Sequence, residues 1–128
     1  MSDASEEPRS PAAIYAAHCR EGRLAYPAAP DGAPVWPPSL VVPGTGEPVQ
    51  WLLSEGRGTV YTTTALHARD AEPRNVAIIE LDEGYRMMAR VDGVPGDAVE
   101  IGARVRVRFG EPDEAGARLP HFVLEPGA

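Results

Sequence analysis

Seven prolines fall within residues 24–48, a stretch of only 25 residues. Because proline lacks an N–H donor and fixes φ, this density excludes a regular helix or a central strand there. Apolar side chains are interspersed among the prolines in numbers too high for a plain linker, namely Leu24, Tyr26, Val35, Trp36, Leu40, Val41 and Val42. We therefore expect an ordered, irregular segment that covers a surface.

The pattern becomes all-β after this segment. We expect one long strand over residues 49–67, bent by glycines, followed by two strands that form a hairpin around Asp82, Glu83 and Gly84. The run GARVRVRFG alternates, which directs Val105, Val107 and Phe109 inward and Arg104, Arg106 and Arg108 outward. HFVLE supplies a fifth strand. Five strands with a long, bent first strand predict a small closed Greek-key barrel of the OB type.

A short helix precedes the proline-rich segment. Ser10 and Pro11 form a helix-start signal, and PAAIYAAHCREG then ends near Gly22, a typical residue after a helix C-terminus. The predicted fold is mainly β, in three parts. Residues 1–9 are a disordered N-terminus, residues 10–48 hold the helix and the proline-rich segment, and residues 49–128 form the OB-fold domain.

Charge and cysteine content limit the possible functions. The formal net charge is −7 and all twelve basic residues are arginines, so a polynucleotide partner is disfavoured, although a local arginine pocket for one small phosphate ligand stays open. A single cysteine, Cys19, excludes an intrachain disulfide and a four-cysteine zinc site. With neither a signal peptide nor an apolar run of about 20 residues, we expect no membrane contact and a soluble, cytoplasmic protein.

No catalytic constellation is apparent. We expect His67 to be a loop histidine near Asp70 and Glu72. His18 and Cys19 are adjacent helix positions whose side chains point about 100° apart, so they do not readily form a catalytic pair. The acidic run at residues 80–83 is typical of a solvated hairpin tip. The outward arginine row on the fourth strand is either an ordinary solubilising face or a contact for an acidic partner or phosphate groups. We predict neither catalytic nor metal-binding residues.

Several segments in fixed order carry a resemblance: REGRL, VWPP, GRGTVYTTTALH, VAIIELDEGYRMMARV, IGARVRVRF and LPHF. Over about residues 10–125 the chain resembles bacterial and archaeal proteins that join a rubredoxin-like zinc ribbon to an OB-fold and associate with acyl-CoA enzymes. In that family two C-x-x-C pairs flank the aromatic-Pro-Pro element. Here those positions fall near Ala29 with Gly32 and near Val42 with Thr45, so zinc is not expected.

The resemblance implies an accessory role. It implies a non-catalytic small subunit that supports a thiolase-superfamily condensing enzyme, lyase or aldolase in a hetero-oligomer. No tightly bound cofactor is expected, and coenzyme A or acyl-CoA is the candidate ligand. The partner interface is then expected at Ile14, Tyr15, Tyr26, Trp36, Trp51 and His67. The candidate contacts for the phosphates of coenzyme A are Arg20, Arg23, Arg57 and Arg69.

Two alternatives stay open at this point. The first is a single-stranded nucleic-acid binder, because OB-folds use strands two and three for that purpose, although the hairpin offers only Tyr85 with Arg86 and Arg90. The second is a small thioester-processing enzyme that uses His67 or His121 as a base.

Overall fold

The computed structural model describes residues 10–125. The predicted disorder of residues 1–9 lies outside this range. Helix α1, Pro11–Arg20, begins where the sequence predicts, because the hydroxyl of Ser10 accepts a hydrogen bond from the N–H of Ala13 at 3.1 Å. The helix ends two residues before Gly22, which has a φ of 76° and donates to the carbonyl of Cys19, while Arg23 donates to the carbonyl of His18.

The proline-rich segment holds a strand that the sequence does not predict. Strand β1, Ala25–Ala28, pairs antiparallel with strand β2, Gln50–Leu53, in a separate two-stranded sheet. Proline is tolerated in β1 because both strands of such a sheet are edge strands. The expectation that these residues are wholly irregular is therefore wrong.

The predicted long first strand is divided. Its first part is β2, and its second part is β3, Arg57–Leu66, which lies in the barrel. The chain turns between them at Gly56, where φ is 76°, and the hydroxyl of Ser54 accepts a hydrogen bond from the N–H of Gly56 at 2.9 Å. Glycine permits this left-handed conformation without strain. The predicted glycine bend is therefore confirmed, whereas the expectation that both parts belong to the barrel is wrong.

The barrel contains the remaining strands. They are β4 at Arg74–Leu81, β5 at Arg86–Ala89, β6 at Val91–Asp92, β7 at Arg104–Phe109 and β8 at Pro120–Leu124. The strand order is β5-β4-β3-β7-β8-β6, and β6 pairs parallel with β8. Because β5 and β6 are one strand interrupted at Arg90, this order closes the sheet on itself. The prediction of a five-stranded OB-type barrel after a short helix is confirmed.

The barrel and the proline-rich segment share one core. Val60, Ile79, Val105 and Phe122 are at most 1% exposed, and Leu24 and Tyr26 of the first segment join the same cluster. On β7, the inward direction of Val105 is confirmed, whereas Val107 and Phe109 are only half-buried. Since burial of apolar surface is the main driving force of folding, the two parts of the chain stabilise one another.

Close strand contact at one position explains a glycine in β3. A Cβ atom on Gly58 would lie 2.5 Å from the carbonyl oxygen of Glu80 on β4. Gly58 is in register with Leu81 on one side and with Val105 on the other, so it lies between two neighbouring strands of the barrel wall. Glycine is therefore required here by packing.

Candidate partner interface

Four aromatic rings connect the helix, the proline-rich segment and the barrel. Tyr85, in the hairpin between β4 and β5, packs against Trp36 with ring centroids 4.7 Å apart and against Tyr26 at 4.9 Å. Tyr15 of α1 meets Trp36 edge-on at 5.7 Å. Such aromatic pairs stabilise a fold by more than the apolar area that they bury would account for. We call these four residues the aromatic cluster.

Burial changes the acid–base behaviour of this region. Removal from water raises the pKa of Tyr85 and of Tyr15 well above the ordinary tyrosine value, because the phenolate form is disfavoured in an apolar environment. Burial likewise raises the pKa of the Cys19 thiol, which is 2% exposed. A protonated, buried thiol is a poor nucleophile, so Cys19 is suited to packing rather than to reaction.

The aromatic cluster determines which of the expected interface residues are accessible to a partner. Tyr26 is 6% exposed and its ring contacts Tyr85, so it is a core residue and cannot present its ring to a partner. Tyr15 and Trp36 are half-buried, and each retains an accessible part. We therefore remove Tyr26 from the expected partner surface and retain Tyr15 and Trp36.

Two further candidates lie next to the helix. Trp51 of β2 is half-buried and stacks on His18 of α1, with ring centroids 6.1 Å apart and an interplanar angle of 24°. Ile14 is half-buried on the same helix. The structure thus places Ile14, Tyr15, Trp36 and Trp51 around α1 and the segment that it covers. His67 lies apart from them, exposed just after the end of β3.

The positions equivalent to the zinc ligands occupy two turns. The carbonyl of Ala29 accepts from the N–H of Gly32 at 2.8 Å, and the carbonyl of Val42 accepts from the N–H of Thr45 at 3.3 Å. Ala29 and Val42 line a shared cleft of about 340 Å³ with Trp36 and several prolines. Within residues 10–125, no group of three or more His, Cys, Asp or Glu side chains is arranged to hold a metal ion.

The acidic hairpin is not the solvated tip that its sequence suggests. Arg104 binds Asp82 through two hydrogen bonds of 2.8 Å each. The carboxylate of Glu83 accepts from the Ser54 hydroxyl at 2.7 Å and from the Glu55 N–H at 2.9 Å. These contacts fix the hairpin to the turn before β3 and to β7. The local sequence gives no signal for them because the partners are more than 20 residues away.

The four candidate phosphate contacts do not form one pocket. Arg20 and Arg23 lie at the end of α1, where Arg23 contacts the carboxylate of Glu21 at 3.9 Å. Arg57 begins β3 and Arg69 follows its far end. At about 3.3 Å per residue, the length of β3 separates the latter two by roughly 30 Å along the strand. A single coenzyme A phosphate therefore cannot contact Arg57 and Arg69 together.

Neither His67 nor His121 is paired as a catalytic base would be. His67 is exposed and makes no hydrogen bond or ion pair with the described part of the chain. His121 is half-buried and its Nε2 lies 3.7 Å from Asp92, but Arg90 holds the other oxygen of that carboxylate at 2.8 Å. Tyr85, the hairpin residue that a nucleic-acid face would use for stacking, is 3% exposed. These residues therefore form neither a catalytic-base site nor a face on which bases stack.

Within residues 10–125, no helix is both long enough and apolar enough to cross a membrane.

Comparison with known proteins identifies the barrel. Residues 51–110 match the family described as ChsH2, C-terminal OB-fold domain. The matched residues run from β2 to the end of β7. The match confirms the resemblance, seen in the sequence, to OB-fold proteins that accompany acyl-CoA enzymes.

One curated relative of this chain is the 3-oxo-4,17-pregnadiene-20-carboxyl-CoA hydratase alpha subunit of Mycobacterium tuberculosis. The two are 33% identical over 93 residues, which is 70% of this chain and 27% of the relative. The chain therefore spans about a quarter of that relative's length.

A solved structure matches over nearly the whole chain. It is a chain of the Ltp2-ChsH2(DUF35) aldolase, which superimposes with a TM-score of 0.78 at 26% identity. The match covers 92% of this chain and 96% of the other. The match thus spans the helix, the proline-rich segment and the barrel of this chain.

Proposed function

We propose that this chain is a non-catalytic accessory subunit that binds and supports a thiolase-superfamily enzyme in acyl-CoA metabolism. The partner is a condensing enzyme, lyase or aldolase, and the assembly is a hetero-oligomer located in the cytoplasm. The observation that carries the proposal is the similarity, over almost the full length of both chains, to a component of the Ltp2-ChsH2(DUF35) aldolase. That protein is named for two components, of which this chain resembles one.

The arrangement of side chains supports a non-catalytic role. His67 lacks an orienting carboxylate, His121 shares its carboxylate with Arg90, and Cys19 is buried. A general base needs a partner that orients it and a pocket that adjusts its pKa. The described part of the chain offers neither to His67.

Half-buried aromatic residues support an interface around α1. Trp36 and Trp51 each pack on a neighbouring ring within the chain and keep part of their surface accessible. A ring that is held in place in the free protein loses little conformational entropy on binding, which favours tryptophan as an interface anchor. We include Ile14, Tyr15, Trp36, Trp51 and His67 in the proposed surface.

Coenzyme A is the candidate ligand of the proposed complex. If this subunit contacts it, the geometry restricts the contact to one end of the barrel, since Arg57 and Arg69 are far apart along β3. Arg20 and Arg23, which are close in sequence at the end of α1, form the more compact candidate pair. Arginine suits phosphate because its planar guanidinium donates two parallel hydrogen bonds.

Co-expression with a thiolase-like enzyme encoded beside this chain tests the proposal. We expect the two proteins to co-purify and the enzyme's thioester chemistry to depend on the complex. The variants His67→Ala and His121→Ala should retain full activity. A large fall in kcat with the complex intact would instead make the chain a catalyst, and failure to co-purify would remove the proposed function.

A further inference from the structure

The strand register gathers like charges on one outer face of the barrel. Arg57 of β3 lies directly opposite Arg106 of β7, and Arg108 of β7 lies opposite His121 of β8. Residues in register across antiparallel strands share a face, and like charges placed in this way destabilise a sheet. We call Arg57, Arg106 and Arg108 the arginine face.

Neighbouring carboxylates do not neutralise the arginine face. Arg104, the fourth arginine of the region, is held by Asp82 in a bidentate pair and so makes a structural contact. Arg57 approaches Glu125 only to 3.7 Å. In the part of the chain that the structure describes, neither Arg106 nor Arg108 has a carboxylate within 4.0 Å.

Arg106 is the least satisfied member of the face. It is half-buried, and its Nε atom is covered without a hydrogen-bond partner. The nearby Glu125 has a covered oxygen that likewise makes no hydrogen bond. A covered polar atom without a partner costs roughly 1–3 kcal/mol, so the free chain gains nothing in stability from this arrangement.

We propose that the arginine face is a docking surface for an acidic patch on the thiolase-like partner, in addition to the proposed surface around α1, with Arg106 at its centre. This inference rests on the proposed function. The chain as a whole carries a formal charge of −7, so a cluster of guanidinium groups on one face, of which Arg57 alone approaches a carboxylate in the described part of the face, makes the chain strongly asymmetric in charge. Such asymmetry orients an approaching acidic surface and speeds its association.

The surroundings favour a protein surface over a nucleic acid. The residues in register with Arg106 and Arg108 on β8 are Val123 and His121, and neither is a Phe, Tyr or Trp of the kind on which bases stack. The partly buried Val123 adds apolar area to the charged groups. Arginine surrounded by apolar contact is typical of protein interfaces.

Three matched variants test the inference: Arg106→Gln, Arg108→Gln and, as control, Arg74→Gln. Arg74 is an exposed arginine on β4, outside the arginine face. Affinity for the co-purifying thiolase-like enzyme is measured at about 50 mM and about 300 mM NaCl, because ionic contacts at a surface weaken with salt. The thermal midpoint of each free chain is measured in parallel.

We expect Arg106→Gln to weaken binding about tenfold or more at low salt and to reduce the salt dependence, while Arg74→Gln changes affinity less than about twofold. The free Arg106→Gln chain should unfold at the same or a higher temperature than the wild type. If Arg106→Gln does not fold, Arg108→Gln decides the question.

The possible failures are distinguishable. If the wild-type chain binds the enzyme and both variants bind equally well, the arginine face is not the docking surface although the proposed function stands. If the wild-type chain does not bind the enzyme, both the docking surface and the proposed function are contradicted. A marked loss of stability in free Arg106→Gln would make this residue structural, and retention of a single-stranded oligonucleotide that depends on Arg106 would assign the face to nucleic acid. Either result would overturn the inference.

Discussion

Arg104 and Asp82 form a bidentate ion pair, with both N–O distances at 2.8 Å, that connects β7 to the hairpin between β4 and β5. Arg104 also donates to the hydroxyl of Thr59 on β3 at 3.0 Å. One guanidinium therefore joins β7 to two other parts of the barrel. The pair lowers the pKa of Asp82, mainly through the hydrogen bonds from Arg104, because they favour the ionised carboxylate.

Asp82→Asn should destabilise the chain by about 1 kcal/mol at neutral pH, as expected for a partly exposed bidentate pair. Since the pKa of Asp82 is lowered by folding, its contribution is present above about pH 4 and is lost as the pH falls through the folded-state value. Urea denaturation at neutral and acidic pH measures this. The variant's deficit should shrink in acid.

Glu80→Gln is the matched control for that measurement. It removes a longer ion pair, 3.5 Å between Glu80 and Arg86, in which both side chains are close to half exposed. Its effect should stay below about 0.5 kcal/mol. Equal losses for the two variants at neutral pH would show that the bidentate geometry has no special role.

The contrast between Arg104 and Arg106 marks a limit of sequence analysis. Alternation along β7 correctly places both on the outer face, but it cannot distinguish them, because Asp82 lies 22 positions from Arg104 in the chain. The pairing of β1 with β2 is missed for the same reason. Its register joins residues about 25 positions apart, and Pro27 conceals the local strand signal.

Features that depend on residues close together in the chain are, in contrast, predicted correctly. The Ser10 cap and Gly22 indicate both ends of α1, and the alternation in β7 correctly directs Val105 into the barrel. The candidate interface is only partly recovered. Burial of Tyr26 against Tyr85 depends on two segments 59 positions apart, so the sequence cannot separate a core tyrosine from an exposed anchor.

Alkaline pH should unfold the chain through the aromatic cluster. Burial raises the folded-state pKa of Tyr85 above its ordinary value of 10.0, so its contribution is complete below that pH and is lost as the pH rises further. For this residue alone, the free energy of unfolding should fall by about 1.4 kcal/mol per pH unit above about pH 10. The chain contains no lysine, so lysine titration does not obscure this range.

Denaturation of Tyr85→Phe and Tyr61→Phe between about pH 8 and about pH 11.5 checks this expectation. Tyr85→Phe should flatten the alkaline fall, because it removes the buried hydroxyl. Tyr61, which is 48% exposed on β3, provides the control and should leave the fall unchanged. An alkaline fall of the same slope in Tyr85→Phe would contradict the assignment.

Metal removal should have no effect on the ribbon. The positions that correspond to zinc ligands are Ala29, Gly32, Val42 and Thr45, and the aromatic cluster joins this segment to the barrel. Treatment with EDTA should therefore shift Tm by less than about 1 °C, whereas a structural zinc would contribute folding free energy outright. Bound zinc near one equivalent, with a fall of several degrees on chelation, would contradict this prediction.

The central claim is that this chain functions as a subunit of a thiolase-like complex, and the mass of the co-expressed assembly tests it most directly. Size-exclusion chromatography with light scattering, on the chain co-expressed with the adjacent thiolase-like enzyme, should give one peak that contains both proteins in a fixed ratio. Two separate peaks, one with the mass of this chain alone, would contradict the claim.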